Sequence, residues 1–322
     1  MTVSEPKNKS TGDVVDTPPD STEGHAKPTT TVADNHEPVS ATAPVDEPTP
    51  LLFPAQHWTQ LPELETDEDD DSALGENDSS TASLSSSILH YRTINGRSYH
   101  SDQGNAQYWV TNDDQSNEAL DINHHVVTLL FDGKLHKAPL TKDVQRVVDI
   151  GTGTVGSIVD WPALFRQAYK CLKPGGYIES YEGSPVISSD DGSVQNTSAM
   201  SQWGEIFFEG GRKLGRSFSV LEDDVQKKGM EAAGFVDVSE RNFKVPIGGW
   251  SQDSTLKEAG QYFQAAILQD IEGTLTFIAN LLGWSKEEID VFGAHYRREI
   301  RSKSIHAYFR QRVVWARKPL TS

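Results

Sequence analysis

The pattern of apolar and polar positions divides this chain into two parts. Residues 1–86 are rich in Ser, Thr, Pro, Asp and Glu and show almost no apolar periodicity. Such a composition buries too little apolar surface to offset the entropy of the chain, so we expect a disordered tail. Farther along, apolar positions recur at the spacings of helices and strands. The sequence therefore predicts one folded domain, 87–322, behind the tail.

One stretch of this domain, 146–181, predicts a strand, a helix and a second strand. The run VQRVVDIG (144–151) is short, apolar and bounded by turn residues, which is typical of a buried parallel strand. WPALFRQAYKCLKPGG (161–176) predicts a helix with Pro162 in its first turn and two glycines beyond its end. YIESYEG (177–183) predicts the next strand. This order indicates the βαβ unit of a nucleotide-binding α/β fold.

The remaining periodicities predict further helices and strands. One helix starts with Asn112 or Asp113 as its N-cap and stops at Gly133. Another starts at Ser285, which forms the spacing of a capping box with Glu288. The other predicted elements are helices at 201–213 and 222–233, a strand at 235–248, a long helical region at 256–282 and a final strand at 305–319.

Two segments interrupt the polar tail. LLFPAQHWTQL (51–61) is an apolar island, and ETDEDDD (65–71) is an acidic run. One interpretation is a short docking peptide for a protein partner, flanked by an acidic segment. The alternative is a solvated linker with incidental apolar residues.

The charge of the chain lies mostly in its tail. Residues 1–86 contain 18 acidic and 3 basic residues out of 47 and 29 in all, so the remainder has 29 acidic and 26 basic residues. A nearly neutral domain has no basic surface for nucleic acid or for a membrane, so neither is an expected partner. A single cysteine, Cys171, excludes an intramolecular disulfide. With no secretory signal or membrane span in the sequence, we expect a cytoplasmic or nuclear protein.

The glycine turn after the first predicted strand is the candidate for chemistry. Asp149 ends the strand, and Gly151, Gly153 and Gly156 match the pattern G-x-G-x-x-G. Glycine permits the tight turn and lets a ligand lie against the backbone, while the aspartate can orient the polar groups of that ligand. By itself the pattern is also compatible with a nicotinamide-dependent oxidoreductase.

The surrounding motifs carry a closer resemblance, which extends from Tyr91 to Pro319. LKPGG before an apolar strand, GFVDV after a helix and a last strand ending in ARKP resemble the closing order of Class I S-adenosylmethionine-dependent methyltransferases. YRTINGRSYH (91–100), LLFDGKLHKAPL (129–140) and RSKSIHAYF (301–309) are similar to segments of fungal LaeA-like methyltransferases, a group linked to secondary metabolism and its regulation.

This resemblance implies a Rossmann-like Class I methyltransferase fold, with a helical lid at about 184–234 and 250–302. It implies S-adenosyl-L-methionine as the cofactor, lined by Asp149, Gly151 and Gly153. Tyr99 belongs to the N-terminal segment that such enzymes fold over the cofactor, so we expect it to stack there or to pack in the core. The sequence identifies neither a catalytic residue nor the methyl acceptor.

The spacing departs from this family in one place. In the family fold, three strand–helix pairs separate the glycine-turn strand from the LKPGG strand, and they need on the order of 60–75 residues. Between Gly151 and Leu172 there is room for one helix. We therefore predict a truncated sheet that lacks strands two to four, with either an empty slot between the two flanking strands or a direct pairing of the two. Asp160 is expected to cap the helix rather than to bind the ribose of the cofactor.

The missing strands predict weak or absent binding of S-adenosyl-L-methionine. Three alternatives to an active methyltransferase remain open. The first is an inactive scaffold for regulatory proteins, since the family's regulators are associated with velvet-type partners. The second is a nicotinamide-dependent enzyme. The third is a mis-spliced or mispredicted translation product of a complete gene. A metal site at His124, His125 and His136 is not expected, because no further ligand has the right spacing.

Overall fold

The structure is a computed structural model that describes residues 52–62, 92–94, 96–99, 109–150 and 158–320. These residues belong to one unit of the chain. Their strands are β1 (Arg92–Ile94), β2 (Arg97–Tyr99), β3 (Tyr177–Ser188), β4 (Val236–Pro246) and β5 (Tyr308–Arg317). Their helices are α1 (Gln56–Thr59), α2 (Asp114–Leu130), α3 (Trp161–Cys171), α4 (Ala199–Leu214), α5 (Val225–Ala232), α6 (Ser254–Gln269), α7 (Ile271–Leu282) and α8 (Lys286–Arg301).

The three long strands form one sheet in the order β3-β5-β4. Both pairings are antiparallel, and β5 lies in the middle, with Val313 opposite Tyr181 on one side and Arg241 on the other. Because β5 has a partner at each edge and helices on each face, Val313 and Val314 are fully buried. Burial of an aliphatic side chain of this size stabilises the fold by about 1.5–3 kcal/mol. The strand predicted at 305–319 is thus the central strand of this sheet.

Helices cover both faces of this sheet. On one face, Phe165 of α3 and Met230 of α5 pack against Val314. On the other face, Val126 of α2 and Ala259 of α6 pack against Val313. A third and larger cluster joins α4, α7 and α8 beside the sheet and is rich in aromatic rings. The core therefore has a sheet between two helical layers and a helical bundle next to it.

Several predicted helix ends are confirmed by their caps. The side chain of Asp113 accepts a hydrogen bond from the Ser116 amide at the start of α2. Asp160 accepts one from the Ala163 amide at the start of α3, as predicted. Ser285 and Glu288 form both hydrogen bonds of the capping box. Caps of this kind each contribute about 1 kcal/mol to helix stability.

The long helical region predicted at 256–282 is two helices. Asp270 ends α6 and starts α7, where its carboxylate accepts a hydrogen bond from the amide of Gly273. Its backbone leaves the helical conformation, with φ −147° and ψ 61°. The apolar spacing of the two helices is continuous enough to hide this break in the sequence.

The prediction of a buried parallel strand at 144–151 is wrong for its described part. Residues 144–150 form no helix or strand, pair with no strand of the described chain, and all seven are exposed. The α/β class is confirmed, but the sheet of the described residues is antiparallel throughout, so the direct parallel pairing with β3 is wrong as well. An apolar run becomes a strand only when a neighbouring strand forms hydrogen bonds with its backbone. Among the described residues, no strand pairs with the outer edge of β3.

The apolar island at 51–61 is part of the fold instead of the tail. From Leu52 onward its described residues include α1, and Trp58 is only 2% exposed. The Trp58 ring contacts Phe292 of α8 edge-on, with 4.9 Å between ring centroids. The amide of Phe53 also donates a hydrogen bond to Oε1 of Gln202 at 2.8 Å. The apolar island therefore packs on its own domain. This finding corrects both interpretations, the docking peptide for a protein partner and the solvated linker.

The helices of the described residues include none that is both long and apolar enough to cross a lipid bilayer.

Candidate functional site

The predicted cofactor residues are divided between the described and undescribed parts of the chain. Gly151 and Gly153 lie outside the described residues. Asp149 lies at the end of the exposed segment 144–150. Within that segment, Val147, Val148 and Ile150 are 78%, 79% and 62% exposed.

The described residues near Asp149 do not fit S-adenosyl-L-methionine. Pockets for molecules of this size bury most of the ligand and are lined by packed apolar side chains with a few fixed polar groups. Here the apolar side chains that would form such a wall face solvent, so nothing in the described segment would exclude water from a bound cofactor. The aspartate by itself supplies one carboxylate on a segment without sheet partners.

Tyr99 has a different environment from Asp149. It ends β2, has no exposed surface, and its ring lies 6.0 Å from that of Phe277 on α7. A bridge between Tyr99 and Thr111 joins the hairpin to the segment that leads into α2. A fully buried ring offers no face to a ligand, so this position favours the packing alternative over stacking on the cofactor.

Arg97 holds the hairpin that carries Tyr99. Its Nε and Nη2 atoms donate to the two carboxylate oxygens of Asp113 at 2.6 and 2.7 Å. Nη1 and Nη2 donate to Asp270 at 2.7 and 3.0 Å, and the hydroxyl of Thr111 also donates to Asp270 at 3.1 Å. Both aspartates are N-caps, of α2 and α7. One guanidinium group therefore connects the hairpin to the starts of two helices.

The electrostatics of this cluster favour its charged form. Burial by itself would raise the pKa of Asp113, but the hydrogen bond from Arg97, the Ser116 amide and the arginine charge together lower it. Burial opposes the charge of Arg97 too, yet its two carboxylate partners raise its pKa above the ordinary value. Charge-assisted bidentate bonds of this type are among the strongest in proteins. The spacing of the sequence did not reveal this cluster, because Arg97 and Asp270 are 173 residues apart.

Glu179 of β3 fixes the chain that leads into the exposed segment. Its Oε2 atom accepts hydrogen bonds from the amides of Lys137 and Ala138 at 2.8 and 2.5 Å. The loop after α2 is thereby tied to the edge strand of the sheet.

Glu182, also on β3, is a functional candidate that sequence reasoning missed. Although part of its surface reaches solvent, the protein packed around its carboxyl raises its pKa to about 8 by desolvation. It lies opposite Arg312, whose guanidinium is bonded instead to Asp224 and Asn242. A carboxyl with such a pKa can hold a proton at neutral pH, as general acids do. The only signal in the sequence was an acidic residue within an apolar strand.

Several other aromatic side chains and His125 pack against neighbouring rings. Trp109 contacts Phe207 and Phe218, and Trp284 contacts Phe292. His125 lies edge-on against Tyr262, 4.5 Å between centroids. The described part of the chain contains no group of three or more His, Cys, Asp or Glu side chains that is placed to hold a metal ion.

Comparison with known proteins reveals fungal relatives across most of the chain. Two methyltransferases named pytC, both from Aspergillus terreus, are 29% and 30% identical over 302 residues, which cover 75% of this chain and 92% of each relative. The secondary metabolism regulator laeA of Gibberella zeae is 25% identical, covering 66% of this chain and 88% of the regulator. No family model matches the chain.

Among solved structures, the chain is similar to an N-methyltransferase of Haemonchus contortus that contains phosphomonomethylethanolamine and S-adenosylhomocysteine. The identity is 21% and the TM-score 0.25, with 51% of this chain and 31% of that chain covered. A TM-score of this size is too low to relate the two folds.

Proposed function

Because this chain belongs to the family of LaeA-like fungal methyltransferases, we propose that it is an S-adenosylmethionine-dependent methyltransferase by descent, acting in fungal secondary metabolism or its regulation, with an incomplete cofactor site. The observation that carries this proposal is the 30% identity to pytC, which extends over 92% of that methyltransferase. Its other relatives include a probable methyltransferase, tdiE, and regulators of secondary metabolism. The site residues proposed for the cofactor are Asp149, Gly151 and Gly153, with Tyr99 as the less favoured fourth.

The length of the alignment supports a missing segment. Three quarters of this 322-residue chain is about 242 residues, whereas the alignment with pytC extends over 302 positions. About 60 positions of the relative therefore have no counterpart in this chain. That number agrees with the 60–75 residues, roughly, that three strand–helix pairs require.

The exposed segment at Asp149 supports weak cofactor binding. In titration calorimetry of the full chain with S-adenosyl-L-methionine, we expect no measurable heat of binding at micromolar concentrations. A matched control variant contains the segment of pytC that this chain lacks, inserted between Thr154 and Ile158. Circular dichroism shows whether this variant is folded. The folded variant should bind S-adenosyl-L-methionine more tightly than the unaltered chain. A micromolar dissociation constant for the unaltered chain would contradict the proposal of an incomplete site.

The transcript provides a separate test. Sequencing it across the codons for Thr154 to Ile158 distinguishes a chain that is made in this shortened form from a mis-spliced or mispredicted product of a complete gene. If the mature transcript encodes a longer protein, the proposed methyltransferase activity belongs to that longer protein.

A second candidate function is an inactive scaffold for regulatory proteins in the cytoplasm or nucleus. The exposed segment 144–150, which has no strand partner among the described residues, and the acidic tail favour it, because both are surfaces that another protein can contact. Since the apolar island is part of the fold, the acidic run 65–71 is the better element to delete. A pull-down from a fungal extract should lose its partner on this deletion, and unchanged recovery would count against the scaffold. Neither nucleic acid nor a membrane is a proposed partner, given the nearly neutral domain.

A further inference from the structure

The outer edge of β3 is accessible. From Tyr177 to Gly183 this strand pairs with β5 residue by residue in an unbroken register. On its other side no described strand pairs with it, and within the described chain no backbone–backbone hydrogen bond joins residues 177–183 to anything but β5. All seven residues are partly exposed, whereas Val313 and Val314 of the central strand are fully buried. The backbone of this edge can therefore form further hydrogen bonds.

The edge strand on the other side of the sheet, β4, is protected against pairing. Its register on β5 shifts between Val236 and Ser239, it ends at Pro246, and charged side chains such as Arg241 and Lys244 occur along it. Irregular register, proline and charge are the features by which edge strands avoid pairing with other chains. The run YIESYEG of β3 contains no proline, lysine or arginine and no register shift. Of the two edges, that of β3 is the unprotected one.

The two carboxyl groups of this run do not block the edge. Oε2 of Glu179 already accepts hydrogen bonds from the amides of Lys137 and Ala138, at 2.8 and 2.5 Å. Desolvation raises the pKa of Glu182 to about 8, so this carboxyl is mostly uncharged at neutral pH. An approaching strand would therefore not meet two free negative charges.

Residues 144–150, VQRVVDI, have the length and composition of a strand for this edge. They number seven, as do residues 177–183, and form no helix or strand themselves. Val147, Val148 and Ile150 are 78%, 79% and 62% exposed, and β-branched residues of this kind favour strands. The segment is therefore a strand sequence without a strand partner in the described chain.

The faces of this segment match the faces of β3. In an extended conformation Val148 and Ile150 lie on one face and Val147 lies on the other. Ile178 of β3 packs with the cluster under α3 and α5, while Tyr181 packs with the cluster under α2 and α6. A strand added beside β3 would therefore find apolar neighbours on both sides of the sheet, which stabilises the pairing.

Each copy of the chain carries both the segment and the edge, close to one another. The contact of Glu179 with the Ala138 amide lies six residues before Val144 along the chain. Even so, the segment does not occupy the edge of its own copy. Two copies related by a twofold axis can each place their segment on the other, and the two contacts are then identical. A second copy accounts for the segment and the edge together.

We propose that two copies of this chain exchange residues 144–150, each segment adding a strand to the outer edge of β3 in the other copy. Main-chain hydrogen bonds supply the affinity in this mode of recognition. Each copy contributes seven donor and seven acceptor residues, against about 20–30 residues a side in a standard stable interface, so the dimer should dissociate on dilution. The proposal does not rest on methyl transfer or on a cofactor.

The first test measures association of the full chain by sedimentation equilibrium, without cofactor, from micromolar to millimolar concentration. We expect monomer and dimer and no larger species. In a strand, successive amides point to opposite edges, so the double variant Val147→Pro with Val148→Pro removes an amide that faces the partner. Dimerisation should weaken about hundredfold, which is about tenfold for the hydrogen bond lost in each of the two strands.

The matched control is the double variant Val147→Thr with Val148→Thr. It keeps both amides and both β-branched side chains and should dimerise within about threefold of the unaltered chain. Circular dichroism shows whether each variant is folded, and neither amide forms a backbone hydrogen bond within the described chain that the prolines would break.

The second test locates the acceptor. The double proline variant keeps the edge of β3, so a synthetic peptide with the sequence of residues 142–150 should bind to it. Hydrogen exchange should then slow for amides of residues 177–183 and stay unchanged for β4. The same peptide with both prolines should give no protection, because it cannot complete the ladder.

Four results would overturn the proposal. The unaltered chain stays monomeric over the whole concentration range; the folded proline variant dimerises as tightly as the unaltered chain; or association continues beyond the dimer. The fourth is protection of residues 177–183 in the monomeric proline variant before peptide is added, since another part of the same chain would then cover the edge. Because S-adenosyl-L-methionine is absent from both tests, their outcome is independent of the proposed function.

Discussion

At the scale of single residues, burial decides which polar side chains are chemically unusual. Arg97 and its two aspartates are enclosed but satisfy one another, so they stabilise the hairpin instead of reacting. Glu182 has no such partner among the described residues, and the loss of hydration raises its pKa. Removing a partner from a buried ion pair costs more than the pair contributes, because an unpaired charge remains. Of these residues, Glu182 is the one whose protonation should follow pH in the neutral range.

The pH dependence of stability should reveal Glu182. Its pKa is about 8 in the folded protein against 4.5 as its ordinary value, so between those pH values the folded state holds a proton that the unfolded state releases. The Glu182 contribution to the free energy of unfolding is therefore largest below pH 4.5 and declines as pH rises to about 8. Glu182→Gln should flatten that decline, measured by urea denaturation at pH 5, 6.5 and 8.

The control for this prediction is Glu231→Gln on the exposed surface of α5, which should keep the slope of the unaltered chain. An equal slope in Glu182→Gln would show that the carboxyl of Glu182 is ionised in the folded protein.

At the scale of elements, short helices and strands depend on what they pack against. The four-residue α1 is too short to be stable alone, since isolated helices need about 12–15 residues. It persists because Trp58 fills a space beside Phe292 and His295 on α8. The reverse holds for 144–150, where an apolar run with good strand-forming residues has no partner strand in the part of the chain that the structure describes.

Truncation of Trp58 should destabilise the whole domain. Trp58→Ala removes a large, buried ring and leaves a cavity, so the free energy of unfolding should fall by about 3–5 kcal/mol in urea denaturation. Trp58→Phe should cost less, because it keeps an aromatic ring and removes an indole nitrogen that has no hydrogen-bond partner in the described chain. Gln60→Ala, at an exposed position next to α1, is the matched control. Equal stability of Trp58→Ala and Gln60→Ala would mean that α1 does not dock in solution.

At the scale of the whole molecule, the described sheet has an open edge beside an exposed apolar segment. The outer edge of β3 has no partner among the described strands, and the apolar side chains of 144–150 face solvent. Open edges and apolar patches are sites at which proteins associate or aggregate. Loss of internal strands would leave both features in one molecule.

Self-association should therefore depend on the exposed segment. The double variant Val147→Lys with Val148→Lys should reduce the concentration-dependent increase in mass seen by light scattering after size exclusion. Its free energy of unfolding should change by less than about 0.5 kcal/mol, because both side chains are already exposed. Leu135→Lys, at an isolated exposed leucine, is the control and should leave association unchanged. Unaltered association of the double variant would exclude this segment as its cause.

The sequence by itself determined the features whose causes lie within a few residues. Three helices are capped by side chains that accept hydrogen bonds from amides three residues away, namely those of Asp113, Asp160 and Ser285, the last paired with Glu288. The sequence alone was therefore enough to predict these caps. The family could also be recognised from the sequence, because its motifs are short and local. These predictions are confirmed by the helix ends and by the relatives.

Only the tertiary structure decided which elements would find partners. VVDI has the composition of a buried strand, but pairing requires a neighbour that the sequence pattern cannot supply, and here it is exposed. The apolar island was assigned to the tail because its partner, α8, lies more than 200 residues away. The Arg97 cluster likewise joins residues distant along the chain. Burial and pairing depend on contacts between such residues, whereas caps and periodicity depend on near neighbours.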